Sequence, residues 1–168
     1  MGIEVSIADR GMIRSVLEQL REVDRLELEA TGCDLVRLPD AIQRHKVFCF
    51  CAWEWAAGPV AIWGLTQQRR GVGAGFAFGT DLWGQALIPM IHHIRGWVLP
   101  FLRHSAFHRV EAAALAHRKD VARFMELIGA NPEAVLRGYG TNGEDFISYR
   151  WLADERRSAQ SVEHYARH

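Results

Sequence analysis

His108 to Leu152 reads HRVEAAALAHRKDVARFMELIGANPEAVLRGYGTNGEDFISYRWL, and the fold of the whole chain is decided there. Val110 to Leu115 is a short apolar run of strand length. From Lys119 to Ile128 apolar residues recur at Val121, Ala122, Phe124, Met125 and Ile128, the spacing of one helix face. Gly129 closes that helix, since glycine takes the left-handed conformation of a helix end at little cost. Pro132 to Tyr139 reads as a strand, Gly140-Thr-Asn-Gly143 as a tight turn, and Asp145 to Leu152 as the returning strand. The unit is strand, helix, long hairpin.

Upstream of it, Ile3-Glu-Val-Ser-Ile7 alternates apolar and polar, a half-buried strand. Asp9 or Gly11 starts a helix with Ile13, Val16, Leu17 and Leu20 on one face, and Arg21 to Ala30 continues helically with Val23, Leu26 and Leu28. Thr31-Gly32 ends it. Leu35 to Asp40 is a connector, and Asp40 to His45 adds one helical turn. Val47 to Trp55, Val60 to Thr66 and Val72 to Thr80 are three strands of an antiparallel meander, turning at Ala56–Pro59 and Gln67–Gly71. Thr80-Asp81 supply cap residues for a helix carrying Leu87, Ile91, Ile94, Val98 and Leu102. Pro89 suits a first turn, which predicts a start near Ile88, and Pro100 should kink or end the helix.

The chain has 168 residues, enough for one domain with its own core, which is expected over residues 1–152. Its 20 basic and 20 acidic residues cancel, which argues against a dedicated nucleic-acid binder. Three cysteines, Cys33, Cys49 and Cys51, form no disulfide framework and read as buried thiols in a reducing compartment. No metal set is visible, and His92 and His93 are adjacent on a helix and cannot share a face. No stretch has the roughly 18 uninterrupted apolar residues of a membrane helix, and no secretory leader is expected. Residues 153–168 are polar without an apolar stripe, and are expected to be ordered by a partner.

The order strand, two helices, three strands, helix, strand, helix, two strands resembles the GNAT (Gcn5-related N-acetyltransferase) superfamily. The C-terminal half resembles it through Gly129-Ala130 at a helix end, Glu133 to Tyr139 in the hairpin and the Gly143-Glu-Asp145 turn. The resemblance implies an α/β (α+β) fold with a mixed, mostly antiparallel sheet flanked by helices. It also implies an acyl-CoA pyrophosphate held on backbone N–H groups at a helix start by a Gln/Arg-x-x-Gly-x-Gly/Ala loop. Gln68-Arg-Arg-Gly-Val-Gly73 fits that pattern, but the residues after it make a poor helix and a fair strand. A hairpin turn is therefore expected there, and the cradle is placed at Gly79 to Gln85, with Gly79, Thr80, Asp81 and Gly84 as cofactor-binding candidates. Met125 stands where the superfamily's general-acid tyrosine is found, and Arg118 where it has an asparagine. A thioether cannot protonate a thiolate.

Two further groups are catalytic candidates: Glu54, a base if burial raises its pKa, and Tyr139, an acid. Tyr149 offers a second phenol. Finally, Phe78-Gly-Thr-Asp81, the long following helix and the turn from Gly140 to Phe146 resemble GNAT-like proteins of tailed bacteriophages, some of them internal or head-associated virion proteins. That resemblance implies a virion-associated structural or docking module without conventional acetyltransferase activity and with no cofactor. Its partners would be other protein chains of a larger assembly, and its location the virion or the host cytoplasm. The alternative is an active acetyl-CoA-dependent N-acyltransferase with substituted catalytic residues.

Overall fold

The computed structural model describes residues 2–153; the expectation about the polar tail falls on residues 154–168, outside the described part. Seven strands form one sheet in the order β1-β2-β3-β4-β5-β7-β6. They are β1 (Glu4–Ile7), β2 (Lys46–Glu54), β3 (Gly58–Arg69), β4 (Val72–Gly79), β5 (Arg109–Leu115), β6 (Asn131–Leu136) and β7 (Phe146–Leu152). Every neighbouring pair is antiparallel except β4 and β5. The helices are α1 (Arg10–Glu18), α2 (Glu22–Ala30), α3 (Leu38–His45), α4 (Trp83–His93), α5 (Leu99–His104) and α6 (Lys119–Leu127).

Strand alternation divides the core between the two faces of the sheet. Cys49, Cys51, Ile62 and Phe78 point to one face and pack with Ile13, Val16 and Ile42 of α1 and α3. Phe50, Ala52, Ala61, Trp63 and Leu65 point to the other and pack with Met90 and Ile91 of α4, Leu99 and Leu102 of α5, and Phe124 of α6.

Several boundaries depart from expectation for local reasons. The helix expected from Ile88 begins at Trp83 and carries Pro89 inside it. Pro100 neither ends nor breaks the chain of helices: Ile94–Val98 forms a π-helical turn just before α5, in whose first turn Pro100 sits. A widened turn of this kind relieves the clash of a proline ring with the carbonyl four residues earlier. Pro39 likewise opens α3, in a first-turn position where its missing N–H is not needed. The strand expected to reach Tyr139 stops at Leu136.

The largest departure concerns α2. Val23 and Leu26 are exposed, while Asp24 is 2% exposed. The helix turns its charged stripe inward, toward the place where β4 and β5 separate.

Candidate active site

The parallel pairing of β4 with β5 covers only Val72↔Arg109, Gly73↔Val110 and Ala74↔Glu111. Beyond Ala74 the strands part. The V-shaped gap opens into a cavity of about 710 Å³. Its wall includes Leu28, Leu38 and Ile42 on one face of the sheet, and Val98, Leu102, Phe124 and Met125 on the other. The cavity therefore passes through the sheet.

Asp24 and Glu27, one turn apart on α2, reach into the gap. Asp24 Oδ2 accepts the N–H of Gly79 at the end of β4 at 2.8 Å. Glu27 Oε2 accepts the N–H of Leu115 at the end of β5 at 2.9 Å. Each carboxylate thus satisfies a backbone donor that the parted strands leave without a ladder partner. Arg118, just past β5, joins them: its Nη1 lies 2.9 Å from Asp24 and 3.2 Å from Glu27, and its Nη2 donates to Asp120 at 2.7 Å. Arg21 completes the cluster, donating to Asp24 at 2.7 and 3.0 Å. Its guanidinium lies 4.3 Å from the centre of the Trp83 ring, a cation–π geometry. Two cations face three carboxylates, Asp24, Glu27 and Asp120, so the cluster is negative by one charge.

Burial raises the pKa of Glu27 above its ordinary value, opposed in part by the charge of Arg118. Burial likewise raises that of the Tyr149 phenol, and the nearby Glu27 carboxylate adds to the rise. Tyr149 comes from β7 and lines the cavity. It shares a strand face with Trp151, which packs with the α4–α6 side. Among the described residues lining the cavity, it is the hydroxyl on that side. Met125 lines the cavity there too.

The expected cradle lies at the α4 start as placed, but much of its donor capacity is used inside the fold. Gly79 N–H goes to Asp24, Thr80 N–H to Val60, Leu82 N–H to the Thr80 hydroxyl, and Trp83 N–H to the Thr80 carbonyl. Asp81 and Gly84 are exposed. A Cβ at Gly84 would meet nothing within 4 Å, so the first turn of α4 is open to a ligand. Asp81-Leu-Trp-Gly84-Gln-Ala86 carries the small residues of the Gln/Arg-x-x-Gly-x-Gly/Ala pattern in register, with an aspartate where the basic or amide residue stands. This register runs one residue beyond the Gly79 to Gln85 stretch expected from the sequence, and Asp81 hides it at the first position. The other match, Gln68 to Gly73, is the β3–β4 hairpin turn, with Gly71 at φ 77°.

Glu54 sits at the end of β2, where its Oε2 accepts the N–H groups of Ala56 and Ala57, both at 2.7 Å. It holds that turn and does not line the cavity. Tyr139 is 57% exposed and packs edge-on against Phe146, also away from the cavity. The residues that do meet in the gap, Asp24 and Glu27, carried one sequence signal: acids three apart on a helix share a face.

The fit to an acyl-CoA thioester can be judged from the gap itself. By ladder alternation the N–H and C=O of Ala77 face the gap, as those of Gly79 do. An open strand edge of this kind pairs with amide-bearing chains, and the pantetheine arm carries two amides. The wall on the α4–α6 side is apolar, and the α4 start lies at its end. The residues fit, with Asp81 as the one unfavourable charge.

No protein-family model matches the chain and no curated protein matches its sequence. Solved structures do match its fold. An N-acetyltransferase from Staphylococcus aureus Mu50 superposes with TM-score 0.69 at 12% identity, covering 91% of this chain and 99% of that one. A GNAT-family acetyltransferase from Bacillus anthracis gives 0.62 at 13%, covering 92% and 97%. A protein from Salmonella typhimurium described as an acetyltransferase, with its cofactor acetyl-CoA, gives 0.64 at 13%, covering 92% and 96%. The chain therefore has the GNAT fold, a mixed α/β architecture around a mostly antiparallel seven-stranded sheet. Nothing in these comparisons links it to bacteriophage proteins.

Proposed function

We propose that the protein is an acyl-CoA-dependent N-acyltransferase. One observation carries the reading: the cavity passes through the sheet at the β4–β5 gap, with a half-buried carboxylate of raised pKa, Glu27, at the crossing. Two substrates can then meet from opposite faces, the thioester from the α4–α6 side and the amine from the α2–α3 side. Bringing them together in one orientation is itself a large part of the rate acceleration.

Ala77 on the open β4 edge and the first turn of α4 would hold the pantetheine arm and the pyrophosphate. The acyl-CoA thioester supplies an activated acyl carbon. Glu27 first takes one proton from the ammonium and passes it to solvent, which frees the nitrogen lone pair to bond to that carbon. It then accepts the second proton that the nitrogen loses as the amide forms, releasing it to solvent after turnover. Tyr149 gives its proton to the sulfur as the carbon–sulfur bond breaks, and is reprotonated from solvent. The balance is one ammonium and one thioester in, one amide, one thiol and one proton out. The negative excess of the cluster favours a cationic acceptor.

The fold neighbours are acetyltransferases, which supports the acyl-transfer class. The reading as a virion-associated docking module draws no such support. Titration with acetyl-CoA, followed by thiol release in the presence of an amine panel, tests the proposal. Micromolar binding and amine-dependent thiol release are the expected result, with Glu27→Gln keeping the binding and losing the thiol release. No binding at millimolar acetyl-CoA would overturn it.

A further inference from the structure

The chamber on the α2–α3 side narrows the acceptor to a class. Its apolar walls are Leu28, Leu38 and Ile42 and two phenylalanines of β4, Phe76 and Phe78, whose rings are stacked at 6.2 Å and 22°, and the polar Thr31, His45, Thr66, Gln67 and Gln68 also line the cavity. At its deep end stands the carboxylate cluster. The cavity's acids are Asp24, Glu27, Glu111 and Asp120 among the described residues. Asp24 is saturated by Arg21, Arg118 and Gly79. Asp120 is held by two bonds from Arg118. Glu111, at the rim, is paired with Arg109 at 3.2 Å and Arg69 at 4.0 Å. Each of these three acids meets two arginines, whereas Glu27 meets one, Arg118 at 3.2 Å, besides the Leu115 N–H, so Glu27 is the acid of the cavity with room for an ammonium.

We infer that the acceptor is a primary monoamine with an aromatic or bulky aliphatic body, its nitrogen at Glu27 and its body between α2, α3 and the Phe76–Phe78 pair. The inference rests on the acyl-transfer reading for its turnover and on the chamber alone for binding. Apolar walls favour a hydrocarbon or aryl body by the area they remove from water. An acceptor with several charges would bring a second ammonium for which the cavity holds no carboxylate with fewer than two arginine partners among the described residues. An alcohol of the same shape would miss the carboxylate's charge.

Calorimetric titration with phenethylamine, spermidine and 2-phenylethanol tests the binding, and acetyl transfer from acetyl-CoA to the two amines tests the turnover. Phenethylamine should bind more tightly than the other two, by about tenfold or more, which is the scale on which hydrophobic pockets discriminate. Phe76→Ala should raise KM for phenethylamine by a similar factor while leaving KM for ethylamine within about twofold. Leu38→Ala, at a half-buried site, provides the same readout if the β4 substitution lowers folding yield. Preference for spermidine, or equal binding of 2-phenylethanol, would overturn the inference while leaving acyl transfer standing. Phenethylamine binding that Phe76→Ala weakens, in a protein that takes up no acetyl-CoA, would sustain the chamber assignment and sink the acyl-transfer reading instead.

Discussion

Arg118 donates to Asp24 at 2.9 Å across 94 residues of sequence, and both side chains are 3% exposed. The bond ties the end of β5 to α2 at the point where the sheet parts. The separated strands expose backbone donors at Gly79 and Leu115, and α2 brings Asp24 and Glu27 to meet them. Asp24 and the half-buried Glu27 would repel side by side, and Arg118 offsets that repulsion while leaving Glu27 with a single cation partner.

Removing the guanidinium tests this account of the gap. Arg118→Ala leaves the buried Asp24 and the half-buried Glu27 without their shared cation, so unfolding free energy should fall by about 3–5 kcal/mol. Urea denaturation followed by tryptophan fluorescence measures it. A loss below about 1 kcal/mol would mean that solvent already screens the cluster.

Glu27 carries the pH prediction. Its pKa is raised, first by burial, with Arg118 opposing. The acidic limb of kcat/KM should therefore fall above the ordinary carboxylate value of 4.5 and vanish in Glu27→Gln, whose kcat should drop by about 10²- to 10⁴-fold. The stability sign is opposite to that of a salt-bridged acid. A carboxyl with a raised folded pKa contributes most below its unfolded value, and that contribution is lost as pH rises through the folded one. Glu27→Gln should accordingly raise the urea midpoint at neutral pH while lowering kcat, separating a catalytic loss from a folding defect.

Much of the fold was legible in the chain, because alternation and helical spacing report burial directly. The hairpin nature of Gln68 to Gly73 was legible too: two glycines and no apolar stripe follow it, so no helix could start there. The site was not. Val23, Leu26 and Leu28 look like the buried stripe of α2, yet Asp24 and Glu27 face inward because partners from β4, β5 and Arg118 compensate their charge. Those partners lie far away in sequence, and local periodicity carries no trace of them. Glu54 stands between Trp53 and Trp55, a setting that suggests burial, but its carboxylate is spent on the adjacent turn.

The two matches to the pyrophosphate pattern make opposite predictions. Arg70 lies in the β3–β4 turn, so Arg70→Ala should leave the acetyl-CoA Kd unchanged. Asp81 precedes α4, where the helix dipole favours an anion and a carboxylate opposes one. Asp81→Arg should tighten binding by on the order of 1 kcal/mol, with a stronger salt dependence. Calorimetry at two ionic strengths distinguishes the sites; a loss on Arg70→Ala would return the cradle to the hairpin.

The cysteines give a chemical check on the packing of α1 and α3 against the sheet. Burial pushes the thiols of Cys49 and Cys51 up to about 12, while Cys33 is only partly buried. Since the thiolate is the reactive form, a disulfide reagent at pH 8 should label Cys33 alone in the native protein and all three after denaturation. Rapid native labelling of Cys49 would mean that this half of the core opens readily.

Tyr149 bears the final prediction. Met125 cannot protonate a leaving sulfur, so the α4–α6 side of the gap depends on the Tyr149 phenol. Its raised pKa, caused by burial and by the Glu27 charge, keeps the proton in place at neutral pH. Tyr149→Phe removes only the hydroxyl and should lower kcat by about 10²-fold with little change in KM. Adding Met125→Tyr to that variant puts a phenol back on the same side of the cavity and should restore part of the lost kcat. Unchanged kcat with a raised KM in Tyr149→Phe would instead make the phenol a wall of the thioester site, and solvent the source of the proton.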